Sequence, residues 1–397
     1  MKFKNTVTDY WFTIEPYVHV ALTNQNTLLY NTLDKVTIES DKVEIIELLR
    51  EMLQKENCGV VLLKNSRYKN KNISSFIKEL REKYMGDIID IDLSKSKPIQ
   101  LLPFFNFRDS NKIEIYKKHN FSHYTNIFDY LCEICIHIDY TIDISKLICF
   151  LQSVPDGITF NIIGNIWDVI NYSELLSFFN QYSSPKNMVC SYKNVMLLQP
   201  AFNNNFSYKI SVDFPIDMQQ WSYSMQLLAS QTLPYEYVFE VVSVKDYQQA
   251  EHLIDQFQIE KFHLKPVYTS ENIRFFEENV FLTKEDILDT PLSIKDIFAH
   301  QAMNIYDFGK INIMPDGDAY ANMNYPALGN IYMHSINEIV YKEIEKGTSW
   351  FRIRNQAPCN DCVYQWLCPP PSNYEIAIGR PNLCHVNDKK NDHNYNI

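Results

Sequence analysis

From about residue 130 to 285 the chain alternates apolar strand-like runs with amphipathic helical runs, and this rhythm constrains the fold more than any other feature of the sequence. Such alternation is the pattern of βα units on a parallel sheet, because a parallel neighbour needs a crossover of on the order of a dozen residues. Strands are expected over 133–139, 157–163, 188–191, 207–213, 235–242 and 261–268, with helices over 145–154, 173–181, 218–230, 246–257 and 270–278. Six units are too few for an eight-fold barrel and fit an open or partial one.

The flanks read differently. Residues 17–23, 27–32 and 35–39 are three short strands turning through polar residues at 24–26 and 33–34. A helix over 42–54 follows, with Val43, Ile46, Leu48, Leu49 and Leu53 mostly at three- and four-residue spacing behind Asp41 or Ser40 as a cap. A strand over 59–64 and a helix over 74–84 complete a small unit. Residues 95–120, with Pro98, Pro103 and a polar run from Arg108 to Lys112, read as a linker or edge excursion. Past Ile297 the pattern changes to a hairpin over 310–314 and 319–323, turning at Pro315-Asp316-Gly317, and a short helix over 335–345. The expected organisation is an N-terminal α+β unit (1–90), a linker or edge segment (91–129), a partial barrel (130–300) and a cysteine-bearing C-terminal domain (301–397), an α/β chain throughout.

Charge narrows the partners. The chain of 397 residues has a formal net charge of −11 and no large basic block, so a nucleic-acid or anionic-membrane surface has no electrostatic support, and basic or neutral peptides and proteins suit it better. No stretch approaches the roughly 18 uninterrupted apolar residues of a spanning helix, and the start lacks the apolar core of a signal peptide, which points to the cytoplasm. Nine glycines, with no Walker loop, Gly-x-Gly-x-x-Gly or nucleophile elbow, disfavour nucleotide-dependent catalysis. His19, His137 and His263 sit inside expected strands and read as core residues, while His119 and His123 read as a solvated face.

The nine cysteines divide in two. Cys58, Cys132, Cys135, Cys149 and Cys190 lie scattered in apolar surroundings and read as structural. Cys132 and Cys135 would point to opposite faces of a strand, which argues against a shared metal. Cys359-x2-Cys362-x5-Cys368-x15-Cys384 instead crowds four thiols around a proline turn, Pro369-Pro370-Pro371, and suits either a tetrahedral zinc ion or an iron–sulfur cluster. His385 is an alternative to Cys384 as a ligand.

The run CNDCVYQWLCPPPSNYE with its later cysteine resembles the SPASM domain appended to radical-SAM peptide maturases, which carries auxiliary four-iron, four-sulfur clusters. The hairpin from Met314 to Tyr320 and the run Leu328-Gly-Asn-Ile331 resemble the start of the same domain. By resemblance Cys359, Cys362, Cys368 and Cys384 hold one auxiliary cluster. A second is not implied, since residues 319–325 have no cysteine and Ser372 stands where a further ligand would fall. The family's catalytic C-x3-C-x2-C loop follows the first barrel strand. Here that place reads Tyr140-Thr-Ile-Asp-Ile-Ser145, and the glutamate of the family's Gly-Gly-Glu-Pro run is missing from Ile163-Gly-Asn-Ile-Trp167. The whole resembles the pseudo-radical-SAM/SPASM proteins that accompany true maturases in Bacteroidales systems with Gly-Gly leader precursors.

That resemblance implies a non-catalytic accessory protein in ribosomal peptide natural-product maturation, binding the precursor peptide, the active maturase or both, with no functional S-adenosylmethionine cluster. Residues 18–39 resemble the start of an element that binds leader peptides by adding a strand to a sheet edge; a plain structural cap is the other reading. The competing functional expectation is an enzyme using the auxiliary cluster, or the altered barrel pocket, for redox or peptide-modifying chemistry.

Overall fold

The computed structural model describes residues 8–94, 96–98, 130–198, 205–231 and 233–386. Most of the expected linker, with the 108–112 run, His119 and His123, lies outside the described residues.

The three expected N-terminal strands form an antiparallel meander of β2 (Val18–Leu22), β3 (Thr27–Asn31) and β4 (Thr37–Ser40), preceded by β1 (Tyr10–Ile14). Short polar side chains make its turns. Thr23 Oγ1 accepts from the Asn26 amide at 2.9 Å, and in the second turn Asn31 and Asp34 side chains accept from the Leu33 and Val36 amides, both at 3.0 Å. A second sheet places β1, unseen in sequence, centrally between β5 (Val60–Leu63), the strand expected over 59–64, and β6 (Gly86–Asp90), also unseen, and the helices Val43–Met52 and Lys71–Glu82 pack into the same core.

β3 is buried along its whole length, and the period-two alternation of a strand explains how. Leu29 faces the helices of the N-terminal core, whereas Leu28 and Tyr30 face a separate cluster with Ile287, Leu292, Tyr364, Trp366 and Cys368 from the far end of the chain. The Tyr30 hydroxyl accepts from the Leu292 amide at 3.2 Å, and Tyr364 donates to Glu39 at 2.8 Å.

The main sheet follows the βα rhythm. β7 (Glu133–Ile138), β8 (Thr159–Gly164), β9 (Lys186–Ser191), β10 (Ser207–Val212), β11 (Tyr235–Val241) and β12 (Phe262–Pro266) run parallel as neighbours in chain order. Helices Ile144–Leu151, Tyr172–Asn180, Met218–Ser230 and Val244–Phe257 bury Leu147, Leu175, Trp221 and Leu253 in the same core as Ile134, Phe160, Ile210 and Phe239.

The hairpin after residue 300 does not stand apart from this sheet. β13 (Lys310–Ile313) pairs in parallel with β7, and β14 (Asp318–Tyr320) and β15 (Gly329–Asn330) extend the edge, so nine strands form an open sheet ending at β12 and β15. Ile311 and Ile313 join the main core, which fixes the register.

The sheet's other face is polar. Residues alternate along β7, and Glu133 and Cys135 meet Asn161, Asn187 and Lys310 through side-chain contacts: Asn161 donates to Glu133 at 2.5 Å, Asn187 to Asn161 at 2.8 Å, and Lys310 pairs with Glu133 at 3.5 Å. Parallel sheets are ordinarily apolar on both faces. This one carries Lys209–Glu236 and Lys265–Glu240 pairs along the same surface, so the far face is built for polar contact.

Candidate metal centre

The four clustered cysteines reach one place by ordinary backbone turns. A short 3-10 turn, Cys359–Asp361, sets Cys362, whose amide bonds the Cys359 carbonyl at 3.2 Å. The next turn brings the Cys368 amide to the Tyr364 carbonyl at 2.9 Å. Cys384 returns on an extended segment that pairs with Leu282, the Leu282 amide donating to Leu383 and the His385 amide to Leu282, both at 3.0 Å.

Cys359, Cys362, Cys368 and Cys384 line a single cavity, with Leu282, Ile287 and Leu383 as apolar wall and Arg354 as the one cation. None of the four is in a disulfide. Among the described residues no three His, Cys, Asp or Glu side chains converge closely enough to hold one metal ion. The thiols thus surround a space and do not meet at a point. As a donor set, four thiolates around an apolar cavity match the ligands of an iron–sulfur cluster, and of zinc if the loop contracts.

Burial pushes the Cys359 and Cys368 thiols up, and the Arg354 guanidinium pulls both back down. Arg354 is itself buried. Its Nη1 donates to Glu375 at 2.8 Å and lies 3.9 Å from Cys359 Sγ, while Nε donates to the Pro369 carbonyl at 2.5 Å. The proline turn explains this demand. Three prolines supply carbonyls and no N–H groups, so donors must come from elsewhere, and Arg352 Nη2 and Asn304 both donate to the Pro371 carbonyl, at 3.0 and 2.9 Å. Asn382 Nδ2 completes the surroundings at 3.1 Å from Cys384 Sγ. Sequence reasoning missed Arg354, Glu375 and Asn382; the only signal was Arg354 standing five residues ahead of Cys359.

Two further readings are settled by position. His385 turns away from the cavity, with Nε2 at 2.9 Å from the Glu277 carbonyl and its ring against Phe281. Ser372 is the N-cap of the helix Asn373–Ile378 and shares a capping box with Glu375, so it does structural work.

The scattered cysteines are less uniform than expected. Cys190 is buried, but Cys58, Cys132 and Cys149 are exposed, the first two on connecting segments and Cys149 on the outer side of the helix Ile144–Leu151. Cys135 lies on the polar face of β7, 3.3 Å from Glu133, and burial pushes its thiol up to about 12. His263, expected in a core, is on the exposed β12 and pairs with Glu236 at 3.3 Å. His137, also expected in a core, is half-buried on the polar face of β7 beside Glu133 and Cys135, where burial lowers its pKa and a side-chain hydrogen bond with Asn312 raises it.

After β7 the chain turns directly into the helix Ile144–Leu151 through residues 139–143. Asp139 accepts from the Thr141 amide and hydroxyl at 2.7 and 2.5 Å, and Asp143 caps the helix at the Lys146 amide, 3.1 Å. No cysteine lies in this turn. At the end of β8, Gly164 has φ +130, and a Cβ there would stand 2.3 Å from the Ile138 carbonyl oxygen, so the glycine is required by the approach of β7. Ile166, next but one, is fully buried in the main core.

No protein-family model matches the chain, and no curated protein matches it. Among solved structures, one titled "Native anSMEcpe with bound AdoMet" superposes with a TM-score of 0.41 at 9% identity, covering 59% of this chain and 88% of that one. At that score the likeness assigns neither a family nor an activity to this chain. Among the described residues no helix is long and apolar enough to cross a membrane.

Proposed function

We propose that the protein is a non-catalytic accessory factor in ribosomal peptide maturation, a degenerate relative of radical-SAM/SPASM enzymes that binds the precursor peptide, its maturase or both, and holds one four-iron, four-sulfur cluster on Cys359, Cys362, Cys368 and Cys384. The turn after β7 carries this reading. A radical-SAM site needs three thiolates there, and residues 139–143 instead form a short, self-capped connection with no cysteine. The run after β8 supports it too, since Ile163-Gly-Asn-Ile-Trp167 lacks the glutamate of the family's Gly-Gly-Glu-Pro run.

Peptide binding is supported at the N-terminal meander. β4 is an outer strand, and a groove of about 440 Å³ lies between its end, at Glu39, Ser40 and Asp41, and the loop at Asp361 and Cys362. That volume is in the range of ordinary ligand sites. A peptide adding a strand at β4 would lie beside the cysteine loop.

The enzyme reading has one observation in its favour: Cys359 and Arg354 also line a second, open cavity of about 450 Å³. Anaerobic purification with iron, zinc and sulfide analysis, an absorption spectrum and S-adenosylmethionine calorimetry tests the proposal. About four iron and four sulfide per chain with no S-adenosylmethionine binding is the expected result. Reductive cleavage of S-adenosylmethionine would overturn the accessory role, and one zinc without sulfide would replace the cluster with a structural ion.

A further inference from the structure

We infer that Arg354 is the charge-compensating residue of the four-cysteine site and sets the reduction potential of its cluster, with Glu375 acting in the opposite direction. This rests on the cluster reading above and goes beyond it, because it assigns a role to two residues outside the ligand set.

The Arg354 side chain is 7% exposed and that of Glu375 5%, so neither charge is relieved by water. A buried cation is retained only where neighbours compensate it. One nitrogen, Nη1, stands between the two charges that matter, 2.8 Å from Glu375 Oε1 and 3.9 Å from Cys359 Sγ. The rest of the fork grips the backbone just after Cys368, with Nε 2.5 Å from the Pro369 carbonyl and Nη2 3.5 Å from that of Pro370. Glu375 is held independently, since its Oε2 accepts from the Ser372 amide at 2.5 Å.

A cluster that accepts an electron gains one negative charge. A fixed cation at the cavity wall favours the reduced form and raises the potential, and a carboxylate behind that cation lowers it; low dielectric strengthens both. Asn382 Nδ2, at 3.1 Å from Cys384 Sγ, acts in the same sense as Arg354 but carries no charge. A purely structural Arg354, serving only to hold the proline turn, would change cluster occupancy and would leave no signed shift in potential.

The test is a spectroscopic redox titration of anaerobically purified wild type, Arg354→Gln, Arg354→Lys and Glu375→Gln, each with its iron and sulfide counted. Glutamine at 375 removes the charge and keeps one of the two acceptor oxygens, enough for either the Ser372 amide or Arg354. Arg354→Gln is expected to lower the potential and Glu375→Gln to raise it, each by about tenfold in the one-electron equilibrium, or ~59 mV. Arg354→Lys should stay near wild type. A loaded cluster whose potential does not move, or moves the same way in Arg354→Gln and Glu375→Gln, overturns the inference and leaves the cluster reading intact. If Arg354→Gln fails to load, Glu375→Gln decides alone, a rise supporting the inference and no rise overturning it. Wild-type protein holding zinc, or no metal, overturns the cluster reading and this inference together.

Discussion

Tyr30→Phe removes one oxygen from the boundary between the N-terminal meander and the cysteine-bearing end of the chain. Tyr30 is 1% exposed, and its hydroxyl accepts from the Leu292 amide at 3.2 Å. The ring stays in place, so packing with Trp366 and Leu292 is conserved and the change isolates the hydrogen bond. Stranding a buried amide costs about 1–3 kcal/mol, which is a factor on the order of 5 to 150 in a local opening equilibrium. The assay is native-state hydrogen exchange followed by mass spectrometry. Peptides spanning 287–297 and 27–31 should exchange faster by that factor, while those of β8 and β10 stay unchanged. Uniform acceleration, or none at Leu292, would refute the view that this bond ties the two ends together.

On the proposed cluster reading, Cys362→Ala should lose metal and expose residues 347–386 to limited proteolysis with β7–β12 still intact, because thiolate-bound metal commonly supplies the folding energy of loop-rich segments; Cys149→Ala, on an exposed thiol, should leave both unchanged. Gly164→Ala should cost ~2 kcal/mol or more in urea denaturation, since the added carbon would meet the Ile138 carbonyl at 2.3 Å with φ at +130. Glu343 is fully buried and accepts from the Ser349 and Trp350 amides at 2.8 Å, and burial holds its pKa above the usual 4.5. A carboxyl raised on folding binds more protons folded than unfolded, so its contribution is complete below the usual value and is lost as pH rises through the folded one. Thermal melts of wild type against Glu343→Gln between about pH 4 and 8 should show the wild-type advantage shrinking upward from pH ~4.5 and then levelling.

The βα rhythm was legible because each parallel strand buries one face against helices, and Ile134, Ile136 and Ile138 announce that face at period two. The polar face was harder to read. Glu133, Cys135 and His137 alternate with those isoleucines as they would on any half-buried strand, so nothing local tells that Asn161 and Asn187 continue the same row. β1 was missed because its pairing with β5 and β6 is contact at long sequence separation, which no local pattern in Tyr-Trp-Phe-Thr-Ile announces. The cysteine spacing was readable, since close thiols beside prolines rarely arise for packing alone. Arg354 and Glu375 were not, because a buried ion pair leaves no periodic trace and only the fold reveals that both side chains are dry.

The placement of β3 decides how the two ends of the chain relate. A meander that served only as a cap would need one buried face, with the other toward solvent. β3 is buried on both: Leu29 in the N-terminal core, Leu28 and Tyr30 against Trp366 and Cys368. The remaining surfaces of the meander are its edges; on β4 the Thr37 carbonyl is taken by Lys83 at 3.0 Å, and the strand's far end borders the groove with Cys362 in its wall. An extended peptide seated there would change the surroundings of a thiol in the cysteine cavity. On the proposed cluster reading, adding a candidate leader peptide should therefore perturb the visible absorption of the loaded protein, and Glu39→Lys, at the groove margin, should weaken that response about tenfold or more in peptide concentration if a basic segment binds. A peptide that binds tightly without touching the spectrum would place its site elsewhere on the molecule, with the polar face of the main sheet as the next surface to test.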